Sequence, residues 1–85
     1  MKRIAVISAI LERPTQTQQQ FNDTVANFKG IVRGRMGIPF AEEDLSIVSI
    51  TVVGDVDDIN ALTGKLGNLP HITVKTAISK QEARG

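Results

Sequence analysis

The segment Leu45 to Val53, LSIVSITVV, constrains this chain more than any other part of it. Its β-branched residues are poor helix formers and good strand formers. Side chains alternate across a strand, so Leu45, Ile47 and Val53 line one face while Val48, Ile50 and Val52 line the other. Residues Lys2 to Leu11 repeat the pattern, with Ile4, Val6 and Ile10 opposite Ala5, Ile7, Ala9 and Leu11. A strand that is apolar on both faces needs cover on both. The chain has 85 residues, enough for one domain, which at this size buries only roughly 60 to 65% of its unfolded surface.

The rest of the chain supplies two helices and two weaker strands. Pro14 stops the first strand, and Thr15 or Thr17 is positioned as N-cap of a helix running to about Phe28. Phe21, Val25 and Phe28 recur at i, i+4 and i+7 and form one narrow apolar stripe. Gly30 ends that helix, and Ile31 to Met36 read as a second strand interrupted by Gly34. Gly37-Ile38-Pro39 and the acidic Glu42-Glu43-Asp44 read as the connection to Leu45. Gly54-Asp55 opens a second helix, with Asp57 and Asp58 in the first turn, where the helix dipole favours negative charge. Its stripe is Val56, Ile59, Leu62 or Thr63, and Leu66, with Gly67 as a left-handed cap and Pro70 as a stop. Ile72 to Ser79 form the last strand, so one domain spans residues 1–80 and a frayed tail covers 81–85.

The order strand, helix, strand, strand, helix, strand is the split βαβ arrangement, an α+β ferredoxin-like sandwich. Right-handed crossovers put the first and third strands in the centre of a four-stranded antiparallel sheet, with both helices on one face. The other face then keeps a full set of alternate residues from the two apolar strands, and either set is apolar. Monomers seldom expose several hundred square ångströms of such surface. The expectation is a homodimer or tetramer joined by sheet faces or edges, with Ile7 and Ile50 as interface residues.

Composition closes off most other classes. There is no Cys, so no disulfide and no thiolate-held metal can staple the fold. Ten Lys and Arg against nine Asp and Glu leave a net charge of +1, which makes direct nucleic-acid binding an unexpected role. No apolar run approaches the ~20 residues of a bilayer span, and the basic start with its apolar stretch reads as a strand rather than a signal, so a cytoplasmic protein is expected. His71 is the one histidine, with no second ligand beside it, and reads as a strand-end residue rather than a metal ligand. An acylphosphatase-type phosphate loop would need a glycine-rich turn after the first strand, and Glu12-Arg13-Pro14-Thr15 has no glycine. RNA-recognition domains stack bases on aromatic residues of the central strands, and those strands carry none. No catalytic group, metal site or cofactor is expected.

Two places remain as candidate ligand sites. Arg33 and Arg35 alternate on the second strand beside Gly34 and Gly37, where guanidinium forks could clamp a carboxylate or phosphate; the plain alternative is a charged edge strand that resists stray pairing. The turn from Glu12 to Thr15 leads into a helix whose first N–H groups could hold an anion, or which is merely capped. Gly64-Lys65-Leu66-Gly67 sits at a helix end and is no phosphate loop; Gly64 reads as a close-packing position.

Several strings resemble a known family: R-x-G-I-P at Arg35 to Pro39, E-E-D-L-S-I-V-S-I at Glu42 to Ile50, I-N-A-L-T-G-K-L-G-N-L at Ile59 to Leu69, and I-T-V-K-T-A at Ile72 to Ala77. With the start K-R-I-A-V-I they are similar to the small ACT-like proteins called iron-only hydrogenase system regulators, also described as transcriptional regulators. The resemblance covers nearly the whole chain. It implies a ferredoxin-like fold related to ACT domains and to the regulatory domain of nickel-responsive repressors, which pair sheets and bind effectors or metal between subunits. The chain departs from the nickel domain in having no Cys and one His, and it has no separate DNA-binding segment. By ACT analogy an effector would lie near Arg13 and Thr15 at a subunit interface. The expected function is a homo-oligomeric regulatory module that senses a small effector. The alternative is a protein-interaction module with a protein partner and no ligand.

Overall fold

The computed structural model describes residues 1–84. The elements run β1 (Lys2–Glu12), α1 (Pro14–Ala26), a 3-10 turn (Lys29–Ile31), β2 (Val32–Phe40), a second 3-10 turn (Ala41–Glu43), β3 (Leu45–Asp55), α2 (Val56–Gly67) and β4 (Ile72–Glu82). The sheet is antiparallel with order β2-β3-β1-β4, so the two strands that are apolar on both faces are central, as the crossover argument requires. This is the ferredoxin-like α+β sandwich.

Register decides which face the helices cover. Ala5, Ile7, Ala9 and Leu11 of β1 and Val48, Ile50 and Val52 of β3 are buried together with Phe21 and Val25 of α1 and Ile59, Leu62 and Leu66 of α2. The stripes at helical spacing therefore meet the strand residues at period two in one core. Ile7 and Ile50 are wholly buried there, which corrects their placement at an interface. Both sets of alternate residues are apolar, and the phase of the alternation is the other one.

Proline and glycine mark most of the boundary differences. Pro14 is the first residue of α1, where its missing N–H costs nothing. Neither Thr15 nor Thr17 is the N-cap; Arg13 is, and the buried Thr17 hydroxyl donates back to the carbonyls of Glu12 (2.9 Å) and Arg13 (3.3 Å). β2 runs on through Gly37, Ile38 and Pro39 to Phe40, because Pro is tolerated on an edge strand whose N–H side is unpaired. Gly54 lies inside β3 rather than in the turn: a Cβ there would come within 2.8 Å of Ile31 Cγ2. Gly67 closes α2 without a left-handed backbone, and Gly64 faces open space rather than a close neighbour. β4 continues past Ser79 to Glu82, and Ala83 N–H still bonds to Lys2 O at 2.8 Å, so the expected fraying from residue 81 does not begin there; Gly85 lies outside the described residues.

Candidate functional site

The uncovered face of the sheet collects the alternate residues that the helices leave out. Ser8 stands opposite Ser49 with Ile7 and Ala9 buried on either side of it, so the even-numbered residues of β1 and the odd-numbered residues of β3 point outward. Ile10, Ile47 and Ile38 form one row across β1, β3 and β2. Val6 and Thr51 form another, and Ile4 pairs with Val53. At the far end Leu45 pairs with Phe40. Met36, Ile38, Phe40, Ile4, Val6 and Ile10 are all exposed, Met36 to 65% and Ile38 to 50%, whereas Ile7 and Ile50 on the helix side are at 0%. Three strands thus present a largely apolar surface on one side, crossed by the Ser8–Ser49 pair.

Sequence reasoning offered both sets of alternate residues on the central strands, placed the interface on the buried set through Ile7 and Ile50, and missed the β2 part of the open face. Met36, Ile38 and Phe40 do alternate at period two, which is the signal of a strand, but Gly37 and Pro39 between them read as turn residues.

The expected ligand residues do not come together. Arg33 is passed over by a register shift between Val32 and Gly34, a bulge that breaks the alternation meant to align it with Arg35. Arg35 pairs with the buried Ile50 and so lies on the helix side of β2. There its Nη2 donates to Asn22 Oδ1 at 2.6 Å, and its guanidinium stacks over the Phe21 ring 5.4 Å from the centroid. Those contacts tie an edge strand to α1 and use the fork that a ligand would need. Gly37 pairs with Val48 on the same side.

Arg13 and Thr15 lie at the other end of α1 from its C-terminus, in a turn that is already knit to its neighbours. Arg13 N–H bonds to Asp44 O at 3.0 Å and Glu12 N–H to His71 O at 2.9 Å. Arg13, Asp44 and His71 all have left-handed backbones, with φ of 51°, 53° and 65°, a conformation uncommon outside glycine. Gln16 N–H returns to Arg13 O and Pro14 has no N–H, so the helix start keeps little free donor capacity for an anion. His71 Nδ1 approaches Glu12 Oε1 at 3.8 Å. Among the described residues no group of three or more His, Cys, Asp and Glu could hold a metal ion. Two open clefts, about 470 Å³ against Met1 and Asp55 to Asp58 and about 210 Å³ against Phe40 to Glu43, include none of the expected ligand residues. Among the described residues no helix is long and apolar enough to cross a membrane.

The chain is of the ferredoxin-like α+β class, with one sheet face packed under the helices and the other open and largely apolar. The family it belongs to follows from comparison: the profile of the TM1266-like, iron-only hydrogenase system regulator family matches residues 3–76, and the chain belongs to that family. Its fold is that of TM1266 from Thermotoga maritima, at a TM-score of 0.89 and 32% identity over 94% of this chain and 100% of that one. Two more distant structures share the fold alone. The C-terminal domain of MgtC from Mycobacterium tuberculosis matches at 0.72 and 12% identity, covering 98% of this chain and 94% of that one. SnoaB, a cofactor-independent oxygenase from Streptomyces nogalater, matches at 0.58 and 18% identity, covering 98% of this chain and 96% of that one. No curated protein matches the chain.

Proposed function

We propose that this chain is a homo-oligomeric regulatory module of an iron-only hydrogenase system, which works by association of sheet faces and senses a small effector at the resulting interface, and which catalyses nothing. Family membership supports the regulatory part. The single observation that carries the rest is the exposure of Met36, Ile38, Phe40, Ile4, Val6 and Ile10 together on one side of the sheet. Strands of 9 to 11 residues, about 4.8 Å apart with about 3.3 Å per residue, give that side a footprint of roughly 19 by 30 Å, large enough to supply the ~800 Å² per partner of a stable interface. The face is of that size and carries its charges at the strand ends apart from Lys75, which suits a second copy of itself. A transcriptional role would run through a protein partner, since a net charge of +1 gives no field to draw in DNA.

Sedimentation velocity across a concentration series tests this reading. The expected result is a dimer or tetramer for the native chain and a folded monomer for Ile47→Asp, which places a charge on the open face. A native chain that stays a 9.2 kDa monomer throughout would overturn it. A chain that assembles identically with and without Ile47→Asp would also count against this face.

A further inference from the structure

Across the middle of the open face runs a polar row. Lys75 on β4 stands beside Ser8 on β1, Ser8 beside Ser49 on β3, and Ser49 beside Met36 on β2. The flanking rows are Thr73, Ile10, Ile47 and Ile38 on one side and Ala77, Val6, Thr51 and Gly34 on the other. Lys75 is the one charged residue in these three rows; Lys2, Glu12 and Asp55, on the same side, stand at strand ends. Directly opposed residues in an antiparallel pair have Cβ atoms about 4.5–5.5 Å apart, so the two hydroxyls and the lysine stem are contiguous.

Covering this face with a second copy has a consequence for that row. A two-fold interface brings the same patch from both copies together, so two Lys75 ammonium groups and four serine hydroxyls enter a layer that has lost its water. An ammonium taken out of water without a counter-charge is strongly unfavourable, and hydroxyls there need partners. The three central rows contain no acid to supply one. An ammonium and paired hydroxyls are the donors that recognise an oxyanion.

We propose that the Lys75, Ser8 and Ser49 row binds a small oxyanion, a carboxylate or a phosphate, between two copies of the chain, and that this anion is the class of effector that controls their association. The proposal rests on the sheet-face association put forward above and names its ligand chemistry. The ammonium supplies the charge and the hydroxyls donate to the anion. The bound anion in turn removes the penalty that keeps the sheets apart.

The test is sedimentation velocity of the full chain at fixed pH and ionic strength with chloride, phosphate or succinate as the main anion. The expected result is a dissociation constant at least tenfold lower in phosphate, in succinate or in both; which of the two acts separates a phosphate site from a carboxylate site. Lys75→Met should tighten association in chloride and abolish the dependence on anion. Ser8→Ala keeps the charge and should weaken the anion effect without abolishing it. Equal dissociation constants in all three salts would overturn the anion site while leaving sheet-face association standing. An anion effect that survives Lys75→Met would overturn it as well, leaving Lys75 as a guard of an edge strand. A chain monomeric in every salt would overturn both readings together.

Discussion

The two faces of the sheet carry similar side chains and face different fates. On the helix side, Ile7, Leu11, Ile50 and Val52 are fully buried against Phe21, Ile59, Leu62 and Leu66. On the open side, Ile4, Val6 and Ile10 alternate with the buried residues of β1, Ile38 joins them from β2, and all four stay in contact with solvent. Burying a residue of this kind contributes about 1.5–3 kcal/mol, so the helix side carries the stability of the single chain. The open side contributes nothing comparable until something covers it. Two helices of 13 and 12 residues can cover one side only, and the contrast teaches that a residue's hydrophobicity does not tell which of the two roles it plays.

A charge placed on either face breaks the comparison most sharply. Ile50→Asp buries a carboxylate with no partner under both helices, a change beyond what a domain with a total stability of about 5–15 kcal/mol can absorb. The expected outcome is loss of the cooperative thermal transition in circular dichroism. Ile47→Asp, three residues away on the other side, should keep that transition. Similar melting of both variants would mean that the two faces are not distinct.

The next largest effect sharpens the helix side. Gly54 is buried in β3, and a Cβ at that position would press on Ile31 Cγ2 at 2.8 Å and on Ile31 Cβ at 3.3 Å. Ile31 must shift to admit it, so Gly54→Ala should destabilise by about 1–3 kcal/mol, measured as a shift of the urea midpoint. A midpoint unchanged or raised would show that the turn before β2 is soft.

These faces were partly legible in the sequence. The alternation in Lys2 to Leu11 and Leu45 to Val53 establishes the central pair, and the helix stripes establish what covers it. The phase was ambiguous because both sets contain Ile and Val. The marker that resolves it is the position of the small polar residues. Ser8 falls among Ile4, Val6 and Ile10, and Ser49 and Thr51 fall among Leu45, Ile47 and Val53, whereas Ala5, Ile7, Ala9 and Leu11 contain no polar atom beyond the backbone and the set of Val48, Ile50 and Val52 carries a hydroxyl only at Ser46, near the strand's start. Hydroxyls without partners avoid a core, so the set that carries them is the open one. The β2 bulge at Arg33 and the pairing of Lys75 with Ser8 depend on register between distant strands, which no local pattern encodes.

A smaller effect separates structure from ligand binding on β2. Arg35 donates to Asn22 and lies over Phe21 while remaining exposed. Its replacement by Ala should cost about 0.5–1 kcal/mol through the lost cation–π contact and hydrogen bond. Association and its dependence on anions should stay as in the native chain. If Arg35→Ala abolished the anion dependence instead, the ligand residues would belong to β2 after all.

The smallest expected change in stability is also the one that says most about the open face. Ile38 is half exposed on an edge strand, in the row with Ile47 and Ile10. In a lone chain Ile38→Ser removes little buried area, and exposed positions of this kind usually shift stability by no more than about 0.5 kcal/mol. If a second copy sits on that row, the same substitution removes apolar surface from the middle of an interface, where truncation commonly costs more than about 1 kcal/mol, a factor of five or more in the dissociation constant. Thermal melting at high dilution and sedimentation at high concentration would then disagree about the same mutant. Agreement between the two, with neither moving, would mean that nothing rests on Ile38. The surface that distinguishes the two faces would then have to be sought nearer β1 and β4.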